Sequence, residues 1–175
     1  MTETFSIYKK SYYIENICCS IDINNIENYL KRIENIEKRY KKEIEVFLIP
    51  TNLIFKENQI NWSIFISKSR FLDKINISKK MFTEVIMVLS YTNQIKNVSK
   101  EWYLKEGRNI YFLTILSNKK INKKDLKEII NNLEIKSKKT KLKPNIKQII
   151  KYYDLKDNKN IEEKIIEKMA LSLYK

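Results

Sequence analysis

The 175-residue chain contains no histidine and a single glycine, Gly107. The first absence removes the commonest general base and the commonest metal ligand. The second removes any glycine-rich loop that would cradle a nucleotide phosphate. Its two cysteines, Cys18 and Cys19, are adjacent. Neighbours on a strand point to opposite faces, so the pair cannot grip one metal ion or build a disulfide framework. One cysteine in the core and one outside is expected, in a reducing compartment. No apolar stretch approaches the ~18–20 residues of a membrane span. The opening Met1-Thr2-Glu3-Thr4-Phe5 has no signal-peptide pattern. These features point to a cytoplasmic protein with no membrane, metal, cofactor or small-molecule substrate.

What is present is apolar enough for a globular core and strongly basic. Thirty-five basic residues stand against 21 acidic ones, a formal charge of +14. Charge of this sign favours polyanions through counterion release, although lysine-rich surfaces also serve solubility. The excess is uneven: Lys119 to Lys147 carries eleven lysines against Asp125, Glu128 and Glu134. Its dense part, Lys136–Lys143, has no interleaved aromatic residue, so it suits phosphate tracking and not base stacking. A second group, Lys68, Arg70, Lys74, Lys79 and Lys80, lies near Thr92, Asn93 and Gln94, where amides beside the Tyr91 ring have the chemistry to read unstacked bases.

Hydrophobic periodicity predicts an α/β chain in the broad sense, or α+β: a single domain whose small, mostly antiparallel sheet carries several helices. Strands are predicted at Tyr13–Ile23, at Glu43–Ile49 before Pro50, and at Asn109–Ser117, with a polar edge strand at Leu133–Lys141. Asn24 or Asn25 caps a helix whose apolar face is Ile26, Leu30, Ile33, Ile36 and Tyr40. Further helices are predicted at Glu57–Asp73, Ser78–Tyr91, Gln94–Glu106 (ended by Gly107), Lys123–Asn131, Ile146–Asp154 and Ile161–Tyr174. The run Val85–Leu89 also suits a buried strand; its length and the Ser78–Lys80 start favour helix. The last helix carries a broad stripe, Ile161, Ile165, Ile166, Met169, Ala170 and Leu173. Such a stripe fits the chain's own core, and it also fits docking in a partner's groove.

No enzyme is expected. Asp125-Leu126-Lys127 and Asp157-Asn158-Lys159 match a short acid-x-Lys element of some nucleases, but neither has a companion carboxylate for a metal.

From about Ile44 to the C-terminus the order of features resembles the PRPK-binding protein family, the auxiliary subunit of the KEOPS tRNA-modification complex. The residues carrying the resemblance are Glu43–Ile49 with Pro50, the long apolar segment Glu57–Asp73, and the basic connection Lys74-Ile75-Asn76-Ile77-Ser78. The block Thr83-Glu84-Val85-Ile86-Met87-Val88-Leu89-Ser90-Tyr91-Thr92-Asn93-Gln94-Ile95 follows, and Ile146–Leu155 closes the pattern before an acidic amphipathic helix. At the turn, Tyr91 and Asn93 replace the Gly and Arg of similar members. The resemblance implies a non-catalytic subunit that binds the complex's kinase-like ATPase subunit and the acceptor CCA end of tRNA. It would position tRNA for threonylcarbamoyl adenosine formation next to the anticodon. On this implication Ile165, Ile166, Met169, Ala170 and Leu173 form the partner interface. Lys68, Arg70, Lys74, Lys79, Lys80, Thr92, Asn93 and Gln94 form the RNA site. A general basic interaction adaptor and a free-standing RNA-binding module also fit the composition.

Overall fold

A computed structural model describes residues 2–41, 43–135 and 140–171. The architecture is α+β, with an antiparallel sheet as the sequence predicts. The chain forms two compact units, one of residues 1–50 and 104–142, the other of residues 51–103 and 143–175.

The first unit holds the sheet. Strands β1 (Thr2–Ile7), β2 (Lys10–Ile23), β3 (Ile44–Pro50) and β4 (Gly107–Ser117) lie in the order β1-β2-β4-β3, every pair antiparallel. Strand β1 is absent from the sequence-based reading. Its hairpin turn uses Tyr8 and Lys9 at φ 50° and 65°, the left-handed geometry that normally advertises itself as Asn-Gly. Every residue of β4 from Tyr111 to Ser117 is buried, which accounts for its unbroken apolar run. Its one central polar residue, Thr114, donates its hydroxyl to Oδ1 of its cross-strand partner Asn16 at 2.7 Å.

One sheet face presents Cys19, Ile21 and Ile23 of β2, Val46 and Leu48 of β3, and Tyr111, Leu113 and Ile115 of β4. Helices α1 (Ile26–Arg39) and α4 (Lys123–Asn132) cover it. Asn25 caps α1, its side-chain oxygen accepting the Asn28 N–H at 2.9 Å. The core-facing side of α1 is Ile26, Tyr29, Ile33, Ile36 and Tyr40, as predicted except that Tyr29 takes the place of Leu30, which faces solvent. Tyr29 is held there by donating its hydroxyl to the Leu133 carbonyl at 2.8 Å.

Two predicted elements are corrected. The chain leaves α4 through Glu134 at φ 52°, where Ile135 N–H closes onto the Ile130 carbonyl at 3.2 Å. This helix-ending turn sinks Leu133 and Ile135 into the core. Described residues 133–135 and 140–141 therefore form no strand; Lys136–Lys139 lie outside the described residues. The predicted helix over 94–106 is replaced by two single 3₁₀ turns, Ile95–Asn97 and Lys100–Trp102, divided by extended Val98 and Ser99. Ser99 caps the second turn and Trp102 is fully buried, so anchoring an indole outweighs continuing a helix. Gly107, at φ 82°, opens β4 and ends no helix.

The second unit is helical: α2 (Glu57–Leu72), α3 (Met81–Leu89), α5 (Ile146–Tyr152) and α6 (Ile161–Leu171). Helix α3 is buried from Glu84 to Leu89, which resolves the Val85–Leu89 run as a buried helix. Tyr153 ties α5 to this core. Its hydroxyl donates to the Leu89 carbonyl at 2.8 Å and accepts from Gln59 Nε2 at 2.7 Å. Burial pushes the Tyr153 phenol well above its ordinary range.

Candidate interaction surfaces

The residues expected to meet RNA are divided by α3. A nine-residue helix is about 13 Å long. Lys79 and Lys80 precede it and Thr92–Gln94 follow it. The two groups therefore stand about 13 Å apart, at opposite ends of the helix.

At the first end, Arg70 is not a surface cation. Its side chain is 7% exposed and its Nη1 lies 2.9 Å from Oε1 of Glu84, which is fully buried. The other oxygen, Oε2, accepts the N–H groups of Ile77 and Ser78 at 3.1 and 2.8 Å. Glu84, in the first turn of α3, thus clamps the connection from α2 and neutralises Arg70. The clamped segment shows Lys74, Lys79 and Lys80 to solvent with Ile75, which is 62% exposed. Lys68 is half-buried on α2. Glu84 was visible only as an acid ahead of an apolar run; its i-to-i−7 reach back to the loop has no sequence signature.

At the second end, the turn opens with Tyr91 at φ 44°. Its hydroxyl donates to the Tyr152 carbonyl at 3.2 Å, and its ring lies 5.7 Å from that of Tyr153. Tyr152 in turn accepts from Trp102 Nε1 at 2.9 Å. Lys168 of α6 places its ammonium 5.6 Å from the centre of the Tyr91 ring, within cation–π range. Desolvation, then the neighbouring Tyr152 and Asp154, raise the Tyr91 pKa. Thr92 and Asn93 are half-buried and Gln94 is exposed, with Lys96 beside them. The Tyr91 ring and the Lys168 ammonium thus meet beside the polar turn Thr92–Gln94, where Gln94 Oε1 accepts from Asn97 Nδ2 at 3.3 Å.

The stripe expected to meet a partner divides as well. Ile165 and Met169 are buried in the core of the helical unit, so they present no free surface. Ile166 and Ala170 are half-exposed; Leu173 lies outside the described residues. The start of α6 is fastened to the start of α2: Glu162 accepts from Lys56 Nζ and from Asn58 Nδ2 at 3.1 Å. Those bonds hold the Glu162 carboxyl below its usual range, the Lys56 bond foremost. One helical turn on from Asn58 and Glu162 stand Trp62, 41% exposed, and Ile166. Trp62 packs edge-on against Phe65 at 5.7 Å. Trp62, Ile166 and Ala170 leave a partly exposed apolar seam on these two helices.

The acid-x-Lys triplets are engaged locally. Asp125 accepts from Asn122 Nδ2 at 2.7 Å in the first turn of α4. Asp157 accepts from Lys164 Nζ and the Lys159 N–H, each at 2.7 Å, and its pKa is lowered by them, Lys164 first. Among the described residues no three metal-ligating side chains gather, and no helix is long and apolar enough to cross a membrane. Cys19 is buried on the core face and Cys18 half-buried, the division the sequence predicts.

A family model described as kinase binding protein CGI-121 matches residues 21–173. A search of curated proteins returns no match.

Proposed function

This chain belongs to the CGI-121 family of kinase-binding proteins, and from that premise we propose that it is a non-catalytic subunit of a KEOPS-type complex. In this reading it docks on the complex's kinase-like ATPase subunit and holds the acceptor CCA end of tRNA. Docking uses the α2–α6 seam. Trp62 is the anchor, because a half-exposed indole on a rigid helix buries much area at little entropic cost. Ile166 and Ala170 extend it. The tRNA end is held at the turn after α3. Unpaired bases stack toward Tyr91, Asn93 and Gln94 meet base edges, and Lys96 and Lys168 meet phosphates. Holding the far end of the tRNA fixes where its anticodon loop lies, so the chain contributes position and no bond chemistry.

The observation that carries this reading is the family match over 153 of 175 residues, together with an exposed tryptophan that the helical core does not use. Its test is co-purification with the kinase-like subunit. Trp62→Asp and Ile166→Asp are expected to abolish capture while leaving the circular dichroism spectrum and melting cooperativity unchanged. Undiminished capture by both variants would place the kinase elsewhere.

A further inference from the structure

We propose that one end of the sheet-bearing unit carries a phosphate-backbone track for duplex RNA, separate from end recognition; it rests on the reading above that tRNA is a partner. Two stretches distant in sequence, 38–43 and 117–128, meet at this end. Ile44 and Ser117 are register partners, and Asn118 N–H donates to the Glu43 carbonyl at 3.4 Å. Lys119 Nζ lies 3.7 Å from the Glu43 carboxylate, and Arg39 of α1 pairs with Glu128 of α4.

Leaving Lys42 aside, the two stretches bring eight basic residues against three acidic ones. All three acids are occupied: Glu43 by Lys119, Glu128 by Arg39 and Asp125 by the Asn122 amide. Lys38, Lys41, Lys120, Lys123, Lys124 and Lys127 are all exposed. They therefore form a cluster of like charge whose local counter-charges are already spent, and such a cluster gains from releasing counterions onto a polyanion.

The chemistry around these lysines selects the polyanion. The one ring among them, Tyr40, is half-buried, and Ile121 and Leu126 pack against the core. With no exposed aromatic residue, bases are not read. With no exposed apolar anchor, the surface lacks the desolvated centre that a protein interface needs. What remains is exposed point charge at the end of α1, in the turn after β4 and on the first turns of α4. Those are rigid supports, suited to the phosphates of an A-form helix.

The test is anisotropy with a blunt RNA duplex of roughly 16 base pairs, intact tRNA and tRNA lacking its CCA, each across a salt series. The proteins are the full chain and Lys120→Gln/Lys124→Gln/Lys127→Gln, whose exposed positions leave the fold intact. Each lost phosphate contact lowers the log-affinity against log-salt slope by about 0.7–0.9, so the triple variant should lose about 2–3 in slope. Duplex affinity at low salt should drop at least about tenfold. Both tRNAs should weaken by the same factor, leaving their ratio unchanged. Unchanged affinity and slope in the variant would overturn the track and leave end recognition standing. Tighter binding to polyglutamate of equal charge than to the duplex would overturn it in favour of an acidic protein surface. Duplex binding lost in the variant, with no effect of trimming the CCA, would sustain the track and sink end recognition.

Discussion

Removing Arg70 should be among the most damaging single changes in the helical unit. The Arg70 side chain is 7% exposed and Glu84 not at all, with 2.9 Å between Nη1 and Oε1. Arg70→Met strands a buried carboxylate that keeps the N–H groups of Ile77 and Ser78 but loses its counter-charge. Breaking one side of a buried pair costs about 3–5 kcal/mol, a large part of the roughly 5–15 kcal/mol that holds a domain folded. Glu84→Gln keeps an acceptor for Ile77 and Ser78 but strands the guanidinium, so it should also destabilise. The double variant Arg70→Met/Glu84→Gln removes both charges. It should recover much of the loss, giving a coupling of at least about 2 kcal/mol in a double-mutant cycle. Urea unfolding followed by far-UV circular dichroism measures each corner of the cycle, with unchanged m-values securing the comparison. Single variants within about 1 kcal/mol of the parent, or additive effects, would refute the claim that this pair is a sealed unit. Glu84→Ala should in addition speed amide exchange at Ile77 and Ser78, because the carboxylate that holds the loop is gone.

Three other outcomes follow from the same geometry. Tyr153→Phe leaves Gln59 Nε2 and the Leu89 carbonyl each short of a buried partner, and should cost about 1–3 kcal/mol in urea unfolding. Met169→Asp places a charge where exposure is zero; circular dichroism should show loss of cooperative folding, in contrast to the folded Ile166→Asp. Burial raises the Cys19 thiol from 9.0 to about 11. Its neutral form is favoured in the folded state, so stability falls as pH rises from about 9 towards 11, by up to about 2–3 kcal/mol. Native protein at pH 8 should therefore be alkylated at Cys18 well before Cys19.

Much of the fold was written in local pattern. Asn25 and Asn122 cap α1 and α4 because their side chains replace missing backbone partners, and β4 reads as a strand because its run is apolar and β-branched. What was hidden depends on distant partners. The β1–β2 turn uses Tyr8 and Lys9, residues with no turn signature. The segment 94–106 has helical composition, yet Trp102 finds a better place at the Tyr152 hydroxyl than on a helix face. The candidate sites were legible in the same proportion. Tyr91, Asn93 and Gln94 were visible as an amide-and-ring turn, whereas Lys168 joins them from 77 positions away. Arg70 looked like a phosphate ligand because a sequence does not show Glu84 closing on it. Periodicity placed Ile165, Ile166 and Met169 on one stripe. It could not tell which edge of that stripe the chain's own helices would cover.

The most direct test of the central claim is tRNA binding by the chain in complex with its kinase-like partner, comparing intact tRNA with tRNA lacking the terminal CCA at low and high salt. The account predicts a large loss on trimming that persists at high salt, reproduced in intact tRNA by Tyr91→Leu. Equal binding of the two tRNAs, fading together as salt rises, would contradict it and leave only a basic surface.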